Sequence, residues 1–131
     1  MACLMMWVWP AAQAHHSVTS QYDTSRFITL EGTVLILQLG SPHSVLVIVT
    51  ARPHSQSVSW TAELASAIFL RRAGWTSRSL TLGEPVRLTG APSRNNPTAL
   101  YATSVIKGDG THLLLVPLTG PASTGPSRGS R

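Results

Sequence analysis

The order of the apolar segments along the chain is the feature that most limits what it can fold into. Val58, Trp60 and Ala62 alternate with polar residues, which is the period of a half-buried strand. The other strand-like segments are apolar, and turn signals separate them. The predicted strands are 27–39, 45–51, 58–62, 85–90 and 100–107, and 112–116 is a short closing strand.

One helical segment interrupts the series between the third and fourth strands. Ser66 is suited to its N-cap, Arg71 and Arg72 lie in its last turn, and Gly74 follows as a residue for the left-handed conformation. Three strands, a helix and two strands is the order of the OB-fold. The sequence therefore predicts a mainly β fold, a small five- to six-stranded OB-like barrel with one short helix of two or three turns. A two-sheet sandwich is the alternative.

The first predicted strand is long and contains a glycine. Gly32 interrupts the apolar residues of segment 27–39. An isolated glycine in a strand indicates a bulge or a sharp bend, which a strand needs when it serves both sides of a small barrel. We therefore expect a bulge or a sharp bend at Gly32.

Composition and charge exclude several classes of protein. Hydrophobic residues make up 43% of the chain and charged residues 11%, so a packed core is expected rather than wholesale disorder. The net charge is +5, but no run exceeds two basic residues, so a nucleic-acid interface is not expected. The single cysteine, Cys3, lies in the apolar leader, so a disulfide framework is excluded.

The first fourteen residues have the pattern of a signal peptide. An apolar run over 4–9 is broken by Pro10, and Ala12-Gln13-Ala14 supplies the small–x–small pattern that places cleavage before His15. The alternative is an ordinary first strand or helix. We predict a signal peptide over 1–14, the barrel domain over 15–117 and a disordered tail over 118–131, with the mature protein periplasmic or secreted and without a transmembrane anchor.

Short sequence pieces, in their order and spacing, resemble a known family. The pieces are Ala14-His15-His16-Ser17, Leu30-Glu31-Gly32-Thr33-Val34, Pro42-His43-Ser44, Trp60, Arg72-Ala73-Gly74-Trp75, and Gly83 with Val86 and Gly90. They resemble a family of uncharacterised exported bacterial proteins, domain of unknown function 6152. Two features depart from that pattern, since Ser41 stands where the family usually has Asn, and His54 lies in an expected polar hairpin. The resemblance implies export and a small β-barrel, and it leaves the function open.

A histidine pair at the expected cleavage site is the main candidate for chemistry. If His15 becomes the first residue, its free α-amine and its ring can chelate one metal ion together. His43, fixed by the turn at Pro42, is the barrel residue expected to add a further imidazole, with His16 and His54 as reserves. Such nitrogen ligation suits Cu(II). This ligand set is analogous to the histidine brace of copper proteins.

Two alternatives stay open at this terminus. Cleavage one residue earlier would put His16 at the third position of a free N-terminus, which also chelates Cu(II) through the amine, backbone amides and an imidazole. Otherwise the two histidines are a solvated start to the chain that carries no metal.

The other groups of candidate residues are better explained by structural roles than by catalysis. Glu31 and Glu63 lie near strand ends, but nothing in the sequence places them together, and no Gly-x-Ser-x-Gly elbow exists. Trp60, Trp75 and Tyr101 could stack bases or sugars, but core packing is the better interpretation.

We therefore expect no catalytic residues and a non-enzymatic exported binding or accessory protein, with copper(II) at His15, His16 and His43. A barrel binding a small ligand or a periplasmic protein partner, through the loop around His43 and the loop over 91–97, is the runner-up. An OB-fold binding single-stranded nucleic acid comes last.

Overall fold

Six strands form one sheet that closes into a barrel within residues 18–115, the part of the chain that the computed structural model describes. The strand order is β3-β2-β1-β4-β5, and parallel pairing of β3 with β5 closes the ring. The strands are β1 (Ile28–Gln38), β2 (Ser44–Arg52), β3 (Ser55–Leu64), β4 (Pro85–Pro92), β5 (Ala99–Lys107) and the short β6 (His112–Leu113), which lies outside the ring on β5. The predicted mainly β, five- to six-stranded barrel is confirmed.

Several predictions fall outside the described residues. These are the signal peptide over 1–14, the ligands His15 and His16, and the tail over 118–131. Within residues 18–115, no helix is long and apolar enough to cross a membrane.

Strand β1 serves both sides of the barrel, as predicted, but its bulge is not at Gly32. The first half of β1 pairs with β4 and the second half with β2, and the exchange takes place at Thr33. The irregular register lies between Val34 and Ile36. A Cβ on Gly32 would come 2.5 Å from the Val49 carbonyl oxygen. Glycine is therefore needed there for close backbone approach, and the bulge follows two residues later.

The helix α2 (Ala67–Arg72) lies between β3 and β4 in the chain and buries Ala67 and Leu70. At six residues it is shorter than the predicted two or three turns, and Ser66 occupies the N-cap without a side-chain hydrogen bond to the helix. Its C-terminus is a Schellman motif, because the Trp75 N–H donates to the Leu70 carbonyl at 2.9 Å and the Gly74 N–H to the Arg71 carbonyl at 3.0 Å. Gly74 has φ +96°, so the predicted left-handed residue is confirmed.

A segment before β1 lies across the outside of the barrel, and this feature was not predicted. We call residues 18–26 the N-terminal strap; it begins with the short helix α1 (Val18–Gln21). Its backbone joins the end of β4 and the loop after it, through Asp23 N–H to the Pro92 carbonyl at 2.8 Å and Arg94 N–H to the Gln21 carbonyl at 2.9 Å. The sequence of this segment looks polar and turn-like, yet Tyr22 is buried.

Candidate functional site

His43 and Glu63 meet on the outer surface of the barrel. His43 directly precedes β2, and Glu63 pairs with Val45 in the β2–β3 register, so the two side chains are diagonal neighbours on one face. The His43 Nδ1 lies 3.0 Å from the Glu63 Oε1. The His43 side chain is 49% exposed and that of Glu63 is 22% exposed. The half-exposed imidazole of His43 therefore contacts the largely covered carboxylate of Glu63.

Tyr22 of the strap holds the other oxygen of the same carboxylate. Its hydroxyl donates to the Glu63 Oε2 at 2.6 Å. The Tyr22 ring packs edge-on against Tyr101, with the centroids 5.6 Å apart, and Tyr101 is the register partner of Glu63 across the β3–β5 closure. Both oxygens of Glu63 thus have partners, which fixes the carboxylate between the strap and the barrel.

The two tyrosines keep their protons at neutral pH. Burial first, and the hydrogen bond to Glu63 second, raise the pKa of Tyr22 well above its usual range. Burial, together with the negative charge of Glu63, raises the pKa of Tyr101 to about 12. Tyr22 is therefore a hydrogen-bond donor to Glu63 and not a competing anion.

This arrangement prepares one nitrogen of His43 for a ligand. A carboxylate next to Nδ1 favours the tautomer that carries its proton there, which leaves the Nε2 lone pair free. Metal-binding histidines are commonly oriented in this way by a carboxylate on the nitrogen that does not bind the metal. His43 can therefore supply one oriented imidazole ligand, with Glu63 as its support.

The described residues do not complete a metal site by themselves. Residues 18–115 contain no group of three or more His, Cys, Asp or Glu side chains placed to hold a metal ion. His54, a reserve ligand, lies at the exposed tip of the β2–β3 hairpin with φ 62°. Since His43 precedes β2 and His54 follows it, the length of the strand puts them about 25–30 Å apart. The structure therefore does not bring His54 to His43.

The path of the chain leads toward this cluster from the N-terminal side. Val18 packs against the buried group formed by Tyr22, Ala91 and Tyr101. The predicted ligands His15 and His16 precede Val18 in the sequence and lie outside the described residues.

The remaining candidates of the sequence analysis have structural roles. Glu31 forms an ion pair with Arg87 of β4, with the Arg87 Nη2 2.7 Å from the Glu31 Oε1, and it is not paired with Glu63. Trp75 and Tyr101 are buried, and Trp60 is half-buried against the core, which agrees with the expected core packing. The residues after β4 in the loop over 91–97 fasten the strap, with Ser93 in a β-bridge to Tyr22.

Sequence reasoning missed Tyr22 and misjudged Glu63. The sequence analysis placed Glu63 near a strand end and gave it no partner, but its carboxylate contacts both Tyr22 and His43. The alternation of β3 places Glu63 on the outer face, where the strap covers it, and no local pattern shows that cover. A usable signal was present, because Tyr22 is the single aromatic residue in a segment that is polar apart from Val18.

Residues 4–101 match one family model, described as a family of unknown function (DUF6152). No curated protein matches the chain.

Proposed function

The chain belongs to this family of unknown function, DUF6152, and from that premise we propose that it is an exported, non-enzymatic accessory protein that binds Cu(II). The ligands are the α-amine and imidazole of His15 after cleavage, together with His43; His16 is a further ligand in reserve. One observation carries the proposal: Glu63 holds Nδ1 of a half-exposed His43, and the same carboxylate is bound by the strap that leads to His15.

The chemistry of the ligand set selects the metal. One amine and two imidazoles are nitrogen donors of intermediate softness, and Cu(II) stands highest among the divalent ions for such ligands. The mature chain has no cysteine, so no thiolate competes to draw in a softer metal. The amine must lose its proton to bind, so affinity should rise with pH toward the amine pKa of about 8.

The proposed export rests on the leader. Ala12-Gln13-Ala14 provides the cleavage pattern that would create His15 as the first residue. Processing would then be part of site formation, because the amide nitrogen of an uncleaved chain is a far weaker ligand than a free amine.

The first test is Cu(II) titration of the exported, processed protein, with mass spectrometry to identify its first residue. We expect stoichiometric binding. Loss of an outer-shell partner alone lowers metal affinity about 10–100-fold, so loss of a ligand in His15→Ala or His43→Ala should cost about 100-fold or more. A longer N-terminal extension, which removes the free amine, should weaken binding as strongly.

The matched control removes a histidine at the other end of β2. His54→Asn takes away an imidazole and tolerates the positive φ of that position, so affinity should stay unchanged. Weak binding that is unchanged by His15→Ala, by His43→Ala and by the N-terminal extension would reject the copper site. A barrel that binds a small ligand or a protein partner through the exposed face of His43 would then replace it.

A second prediction addresses the support of His43. Glu63→Gln removes the negative charge beside Nδ1, so His43 is oriented less firmly, and Cu(II) affinity should fall about tenfold. Glu31→Gln is the control, since it neutralises an exposed carboxylate that pairs with Arg87 elsewhere on the barrel. Competition titration measures the Cu(II) affinities of both variants. Equal affinities for Glu63→Gln and Glu31→Gln would show that Glu63 does not support His43 in binding the metal ion.

A further inference from the structure

Helix α2 presents apolar side chains to solvent. Ala67 and Leu70 are buried, whereas Ile68 is 55% exposed and Phe69 is 49% exposed. Arg72 follows these two at four- and three-residue spacing, so it lies on the same outward side of the helix. A six-residue helix is not stable by itself in water, but its buried residues hold this one on the barrel. We call Ile68, Phe69 and Arg72 the α2 face.

Arg71, in the last turn of the same helix, borders a groove. The groove has a volume of about 560 Å³, which is in the range of small-ligand sites. Leu37 and Leu39, at the end of β1, also line it, and so do the hydroxyl-bearing residues Thr76 and Ser77. The groove therefore combines a cation and hydrogen-bonding groups with an apolar wall.

The arginines of α2 have no acidic partner in the described part of the chain. Segment 64–83 contains three arginines, at positions 71, 72 and 78, and no Asp or Glu. The chain has five acidic residues, and each of them has a partner elsewhere. The pairs are Asp23 with Arg26 and Arg94, Glu31 with Arg87, Glu63 with His43, Glu84 with Lys107, and Asp109 with the Thr111 N–H. The positive charge beside the α2 face is therefore open to an anion from outside.

We propose that the α2 face and Arg71 dock the protein on an anionic phospholipid surface. This inference is independent of the proposed copper site. At a membrane interface, arginine side chains reach the phosphate groups while neighbouring apolar side chains enter the boundary between headgroups and acyl chains. An acidic peptide would pair with the arginines but would give the Phe69 ring no deeper apolar layer. Lipid is the occupant that uses both the charges and the exposed apolar side chains.

The test is co-sedimentation of the purified protein with lipid vesicles. We expect binding to vesicles of equimolar phosphatidylcholine and phosphatidylglycerol that falls steeply with added salt, and far weaker binding to phosphatidylcholine alone. Each arginine near an anionic surface contributes about fivefold to the partition, so the Arg71→Gln/Arg72→Gln protein should bind about 25-fold less. Phe69→Gln should lower binding about fivefold, because the exposed half of the ring no longer leaves water.

Two matched controls make the same changes elsewhere. Arg52→Gln removes one positive charge at the far end of β2, and Arg72→Gln removes one from α2, so the two variants have equal net charge. Phe27→Gln replaces a phenylalanine that is 57% exposed and lies at the opposite end of β1 from the groove. Arg72→Gln should lose about fivefold in binding, and the two controls no more than about twofold.

The outcomes separate the possible occupants. Absence of binding to phosphatidylglycerol vesicles, or an equal loss in Arg72→Gln and Arg52→Gln, would overturn the proposal. Binding of soluble polyglutamate that needs the two arginines but not Phe69, without vesicle binding, would assign the face to an acidic protein partner instead. Circular dichroism and thermal unfolding check that each variant folds, and the single variants carry the comparison if the double variant does not. Neither result bears on the Cu(II) titration, so the two proposals can fail separately.

Discussion

Gly90→Ala is expected to leave the protein unable to fold stably. Gly90 lies on β4 between Ile28 of β1 and Ala102 of β5, at an irregularity of the β4–β5 register. A Cβ there would overlap the Tyr101 carbonyl group, with its carbon at 2.8 Å and the Leu100 Cδ1 at 2.6 Å. Because pairing on both sides prevents β4 from moving away, the methyl group can be accommodated only by breaking strand pairing.

The cost of that change should be about 4 kcal/mol or more, a large part of the stability of a domain of this size. Urea unfolding followed by circular dichroism measures it. Gly110→Ala is the control, since Gly110 has φ +89° but open space around its Cα, and its expected cost is about 1–2 kcal/mol. Similar costs for the two substitutions would mean that backbone crowding at Gly90 is relieved cheaply.

The architecture could be predicted because its signals are local. Alternation at Val58, Trp60 and Ala62 assigned the third strand, and the position of Gly74 after two arginines assigned the end of the helix. Both are confirmed, because period-2 burial and a left-handed C-terminal residue are properties of neighbouring residues. The order of elements then admits few topologies, and the OB-like barrel is one of them.

The position of the bulge could not be predicted in the same way. A glycine in a strand has two physical uses, as a bend or as a point of close approach, and the sequence does not distinguish them. Gly32 lies where β1 meets the backbone of β2 at Val49, which is a contact between distant parts of the chain. The sequence therefore left a bulge and a bend open at Gly32, and the irregular register lies between Val34 and Ile36.

The candidate site was predicted only in part, because the rest of it also depends on contacts between residues that are distant in sequence. His43 was identified from its turn, but it is supported by Glu63. Glu63 in turn is bound by Tyr22, which lies 41 residues before it in the sequence. The contact between Arg94 and the Thr19 carbonyl spans 75 residues. Spacing along the chain carries no information about such contacts until the barrel closes and shows which face the strap covers.

The carboxylate of Glu63 links the strap to the barrel. Glu63 would be a costly residue to cover if both oxygens were unpaired, and Tyr22 and His43 satisfy them. The strap is therefore held to the barrel at the same point at which the barrel orients its imidazole. By linkage, the Cu(II) ion that we propose to bridge the N-terminus and His43 would stabilise the contact of the strap with the barrel, and that contact would favour binding of the ion.

Trp75→Ala is expected to produce the second largest loss of stability. Trp75 is 2% exposed and follows the end of α2, where its ring packs in the core cluster that contains Leu70. Its Nε1–H donates to the Leu114 carbonyl at 2.8 Å, so it also holds the chain after β6. Removing a buried tryptophan side chain costs about 3–5 kcal/mol, and we expect this variant to lie in that range.

Two comparison variants divide this loss into its parts. Trp75→Phe keeps most of the ring but loses the bond to Leu114, so it should cost about 1–2 kcal/mol. Trp60→Ala removes the same side chain from a half-buried position on β3, and it should cost less than about 3 kcal/mol. Urea unfolding of all three gives the order. A Trp60→Ala loss equal to that of Trp75→Ala would show that the core beside Trp60 is packed as tightly as the core at the end of α2.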